Sequence, residues 1–127
     1  MQLFGPEGKF LEQWTDMQRP TNVRFDRKGN AYVSELWWRI GQASQVHGET
    51  KVDKPGRVSV YDPSGKVVAR FGASSQRRAE PGYFVAPHDV AVDSRGDLYV
   101  AEVTQTFGVR PGQVPAGTHT FQKFARQ

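Results

Sequence analysis

Arg19-Pro-Thr-Asn-Val-Arg-Phe-Asp-Arg-Lys-Gly-Asn-Ala-Tyr-Val-Ser-Glu35 is written a second time, with changes, as Ala86-Pro-His-Asp-Val-Ala-Val-Asp-Ser-Arg-Gly-Asp-Leu-Tyr-Val-Ala-Glu102. The offset is a constant 67 over 17 positions without a gap. A second phrase also recurs: Leu3-Phe-Gly-Pro-Glu-Gly-Lys-Phe-Leu11 matches Val60-Tyr-Asp-Pro-Ser-Gly-Lys-Val-Val68, and Phe121-Gln-Lys-Phe124 echoes Val58-Ser-Val-Tyr61. Self-similarity at fixed spacing is the signature of a repeat architecture.

Each phrase decodes into strands. Val23-Arg-Phe25 and Val90-Ala-Val92 are short β-forming runs, each closed by Asp-x-x-Gly (Asp26 to Gly29, Asp93 to Gly96). An Asp side chain caps its own turn and Gly takes the positive φ, so each run folds back on Ala31-Tyr-Val33 or Leu98-Tyr-Val100. Val58 to Tyr61, the turn Asp62-Pro-Ser-Gly65 and Val67 to Phe71 predict a second hairpin. One repeat is therefore four antiparallel strands, a to d. The chain reads c-d over 1–18, a-b-c-d over 19–72 and a-b-c over 86–127. No stretch shows helical periodicity with caps. The expected class is all-β, with about two four-stranded β-propeller blades per chain. A β-sandwich of similar hairpins is the competing fold, but it has no reason to repeat its turn chemistry in register.

The phrase Pro87-His-Asp-Val-Ala-Val-Asp93 with Gly96-Asp-Leu-Tyr-Val-Ala-Glu102, followed in the other repeat by Tyr61-Asp-Pro-Ser-Gly-Lys66, resembles the NHL-repeat propellers. The resemblance covers nearly all of the chain outside its long connections. It implies a propeller of about six blades, so neighbours must cover the open blade edges and faces. They are either the remainder of a longer propeller or further copies of this chain closing a ring, a homotrimer first and a dimer second.

Composition fits a globular domain: 37% hydrophobic, 12% aromatic and 24% charged residues, with no apolar run of membrane-spanning length. The opening Met1-Gln-Leu-Phe-Gly-Pro-Glu7 lacks the basic and long apolar regions of a signal peptide. Zero cysteines exclude disulfides and thiolate metal sites without fixing a compartment. The net charge of +4 comes from scattered Lys and Arg, which read as a solvated surface rather than a nucleic-acid footprint. Nucleotide-binding glycine loops, zinc-protease helices and nucleophile elbows are all missing.

Strand direction sorts the connections. The tight a-b and c-d turns share one end, and the long connections 36–56, 72–86 and 103–120 share the other, where binding residues are expected. Trp37, Trp38, Arg39, His47, Tyr83 and His119 lie in these connections and are the candidate ligand-binding residues. His88, just after Pro87 at the start of an innermost strand a, is the candidate metal ligand; the other repeat carries Thr21 there. Pro87-His88-Asp89 resembles the peptidyl-α-hydroxyglycine α-amidating lyases, whose propeller axis carries a catalytic zinc held by histidines of alternate blades. That resemblance implies zinc at His88 and a catalytic or supporting part for Asp89; in a three-copy ring, symmetry would supply three His88 side chains. Two function classes follow: a metal-dependent lyase relative, or a non-catalytic module binding a peptide, protein or small ligand on its long-loop face.

Overall fold

A computed structural model describes residues 1–44 and 48–126 of the chain. Its strands are β1 (Gln2–Phe4), β2 (Phe10–Gln13), β3 (Pro20–Phe25), β4 (Ala31–Glu35), β5 (Ala43–Ser44), β6 (Gly48–Glu49), β7 (Arg57–Tyr61), β8 (Val67–Phe71), β9 (Pro87–Val92), β10 (Leu98–Glu102) and β11 (Phe121–Phe124). The protein is all-β. β3-β4-β7-β8 form a four-stranded antiparallel meander, β9-β10-β11 a three-stranded one, and β1-β2 a hairpin. β5 and β6 make a small ribbon within the 36–56 connection.

The repeated turns share one chemistry. Gly29, Gly65 and Gly96 have φ of 82, 81 and 88°, and each donates its N–H to the carbonyl of the Asp three residues earlier, at 2.9–3.1 Å. Oδ1 of Asp26, Asp62 and Asp93 accepts the backbone N–H groups two and four residues on. At Asp62 the Ser64 hydroxyl and then these N–H groups hold the carboxyl below its ordinary range. The Gly5–Gly8 turn closes by its backbone alone, Gly8 N–H donating to Gly5 O at 2.9 Å.

Period-2 alternation decides what each sheet buries. From the four-stranded sheet, Ala31, Val33 and Tyr61 face Trp14, Leu3 and Met17 at one side. On its other side Val58, with Tyr32 and Phe71, packs on Phe84, Val90, Leu98, Val100 and Phe124. Three sheets are thus layered, the hairpin on the meander and the meander on the three-stranded sheet. The first strands of the four-stranded and three-stranded sheets run side by side: Thr21 Oγ1 donates to Pro87 O at 3.2 Å and Asn22 Nδ2 to Asp89 Oδ1 at 2.6 Å.

Both first strands carry a bulge at the same repeat position. Pro20 pairs with Glu35 and Asn22 with Ser34, leaving Thr21 over; Pro87 pairs with Glu102 and Asp89 with Ala101, leaving His88 over. Pairing also fixes the two ends of the layers. Ala31 sits opposite Tyr61, so turns 26–29 and 62–65 share one end, while connections 36–56 and 72–86 leave from the other. One element departs from the sequence expectation. Gln105–Val109 forms a single π-helical turn in the 103–120 connection, where Gly108 lies against Val85 and Val114 with no room for a Cβ. Five residues are too few to leave a periodic signal.

Candidate functional site

Two buried carboxylates organise the long-loop end. Glu35, at the end of β4, is fully buried and accepts the Gln18 backbone N–H at 2.7 Å, Arg57 Nε and Nη2 at 3.1 and 3.0 Å, and the Ser59 hydroxyl. Glu102, its repeat partner on β10, accepts the N–H groups of Val85 and Ala86 at 2.7 and 3.0 Å. Gln122 Nε2 at 3.2 Å and His119 Nε2 at 3.1 Å face its other oxygen. Gln122 occupies the register position of Ser59, each lying beside the central valine of strand b. Each glutamate therefore ties the chain entering strand a to strands b and c of its own sheet. Burial pushes the Glu102 carboxyl up, against the lowering pull of the Ala86 and Val85 N–H groups, His119 and Gln122. Both residues close the repeated phrase, and that shared place was the signal by which their role could have been found.

His119 is accordingly a strut. Its Nε2 also lies 3.1 Å from Tyr83 O, and its side chain is mostly buried. Tyr83 receives a hydrogen bond from Arg77 Nη1 at 2.6 Å, with the guanidinium 4.4 Å over its ring. Trp38 is buried; its indole donates to Gln42 O at 2.7 Å and its backbone bridges to Lys54, so it fastens the 36–56 connection. His47 lies outside the described residues.

Trp37 and Arg39 are brought together, and with residues that carry no sequence signal. They line a cleft of about 180 Å³, partly open to solvent, with Asp53, Lys54, Arg78 and the buried Phe84 and Val85. The Arg39 guanidinium lies 4.2 Å over the Trp37 ring, and its Nη2 donates to Gln113 Oε1. Arg19 and Phe107 hold the indole from other directions, at 5.8 and 6.0 Å. Burial and the nearby Arg78 charge lower the Arg39 pKa, with Asp53 opposing. Asp53, Lys54 and Arg78 come from connections 36–56 and 72–86, distant in sequence and without a shared spacing, so only the fold assembles them.

His88 and Asp89 stand elsewhere, on β9. His88 is exposed and has no hydrogen bond or ion pair among the described residues. Asp89 is bound by Asn22, lies 3.7 Å from Arg24 Nη2 and accepts its neighbour's Val90 N–H at 2.7 Å. It ties β9 to β3. Among the described residues, no three His, Asp or Glu side chains gather as metal ligands, so one chain does not by itself fit the zinc site that the lyase resemblance implies. No described helix is long and apolar enough to cross a membrane. Comparison with protein-family models and with curated proteins finds no match.

Proposed function

We propose that this chain is a β-propeller module of the NHL type, about two blades of one, whose long-loop end binds a small ligand without chemistry of its own. The observation that carries this reading is the cleft beside Trp37 and Arg39. It has partly exposed apolar lining in Trp37 and Pro55, a few convergent polar groups and walls from two separate connections, the usual make-up of a ligand site. The opposite end offers tight turns closed by their own backbone hydrogen bonds, with a wider and more open hollow between turns 26–29 and 93–96. Exposed Phe4, Phe10 and Leu11 on the hairpin, and Phe121 on β11, are what blades present when neighbours are still to be added. Those neighbours are further copies, three in a ring first and two second, or the rest of a longer propeller. Crystals soaked in isopropanol test the site: solvent molecules should collect in the Trp37–Arg39 cleft. Collection only around turns 26–29 and 93–96 would overturn the reading.

A metal-dependent lyase is the second reading, and the bulge favours it. Bulges re-aim side chains and recur beside active sites. Thr21 spends its position bonding inward, to Ser34 and Pro87, whereas the equivalent His88 is exposed and unpartnered among the described residues. Zinc would then need His88 from several copies, a catalytic zinc being held by three protein ligands and one open position. Metal analysis decides: one zinc per three chains, lost in His88→Ala, supports this reading, and zinc-free protein after refolding in zinc contradicts it.

A further inference from the structure

We infer that the Trp37–Arg39 cleft is selective for an oxyanion, a carboxylate or phosphate, carried on a small organic body and held between Arg39 and Arg78. The inference rests on the binding reading above and names its ligand class.

The charge of the cleft is out of balance. Arg39 and Arg78 face a single carboxylate, Asp53, while the Lys54 ammonium lies 4.9 Å over the Trp38 ring. Asp53 is engaged on the backbone, its Oδ1 accepting the Ile40 N–H at 3.0 Å. Among the described residues, neither Arg39 nor Arg78 meets a carboxylate within 4 Å, although both line the same cleft. Arg78 is half-buried and has no hydrogen-bond acceptor among the described residues either. Two guanidinium groups that line one partly desolvated cleft repel; an anion between them removes the repulsion and gains charge-assisted hydrogen bonds.

Geometry prepares the site. Arg39 is fixed before any ligand arrives, stacked on Trp37 and tied to Gln113 by one of its five N–H donors. Its planar fork suits bidentate recognition of carboxylate or phosphate. Trp37 and Pro55, both partly exposed along the cleft, offer apolar surface to the body that carries the anion. The space, smaller than a drug-sized pocket, suits a fragment of about one ring rather than a macromolecule.

Calorimetric titration of the full chain with sodium benzoate, neutral benzamide and inorganic phosphate tests this. Benzoate should bind at least about tenfold tighter than benzamide, and Arg78→Gln should remove that preference while leaving the melting temperature unchanged. Arg78→Lys should restore part of it, since charge returns without the fork. Phosphate displacing benzoate at equal concentration assigns the site to phosphates, and failure to displace it assigns the site to carboxylates; either supports an oxyanion site. Benzamide binding as tightly as benzoate, with Arg78→Gln silent, overturns the oxyanion inference and leaves the cleft a ligand site. No binding of any probe overturns both readings.

Discussion

Replacing the turn glycines one at a time by alanine separates backbone strain from the packing of one sheet on the next. Gly65 and Gly96 sit at the same turn position with φ of 81 and 88°, so an added Cβ costs each about 1–2 kcal/mol of left-handed strain. Their surroundings differ. At Gly96 the new Cβ meets the flexible Arg126 side chain at 3.0 Å, which can move away. At Gly65 it falls 2.5 Å from Trp14 Cε2 and 2.9 Å from Cδ1. Trp14 cannot move cheaply: it is buried and stacked on Tyr61, ring centroids 5.7 Å apart. Overpacking of that kind adds about 1–3 kcal/mol. Gly65→Ala should therefore lose about 2–5 kcal/mol and Gly96→Ala about 1–2 kcal/mol, measured by urea unfolding. Trp emission of folded Gly65→Ala should also shift as the indole is displaced. Equal losses in the two variants, with unchanged emission, would refute the packing of the β1-β2 hairpin over the 62–65 turn.

Three further outcomes are expected. Glu35→Ala should destabilise by about 3–5 kcal/mol in the same assay, because it leaves Arg57 and the Gln18 N–H without their buried acceptor; a loss under about 1 kcal/mol would count against the tie. Because the folded-state pKa of Glu102 is raised above the ordinary 4.5, the folded state takes up the proton first, so acidification relieves the cost of burying its charge. The melting temperature of the wild type relative to Glu102→Gln should thus rise as pH falls through the folded pKa toward 4.5 and level off below it; a flat difference contradicts the burial of this charge. His88→Ala should leave stability within about 0.5 kcal/mol, as a surface residue does, whereas Thr21→Ala should lose about 1 kcal/mol with its hydrogen bond; a loss at His88 comparable to that at Thr21 would show that the histidine is structural.

How far the sequence could be read follows from where the information is local. A strand–turn–strand unit is written in adjacent residues, so Asp26 to Gly29, Asp62 to Gly65 and Asp93 to Gly96 announced the hairpins that the structure contains. The tail Phe121–Phe124 was legible only through its echo of Val58–Tyr61. Both glutamates that close the repeated phrase were in plain view, yet their purpose depends on backbone N–H groups 16–17 residues away in sequence. Of the cleft, the sequence offered Trp37 and Arg39. Arg78 and Lys54 gain meaning only when two loops are laid side by side, and nothing in their spacing foretells that. Trp38, Tyr83 and His119, chosen by residue type and by their place in the long connections, make contacts that fasten those loops.

A heteronuclear NMR titration of the chain with sodium benzoate asks most directly whether the repeat separates a structural end from a binding end. Backbone amides of 37–39, Asp53, Lys54, Gly56 and 74–78 and the Trp37 indole N–H should shift together and saturate, while the amides of turns 26–29 and 93–96 stay in place. Shifts centred on those turns, or none at saturating benzoate, would contradict it.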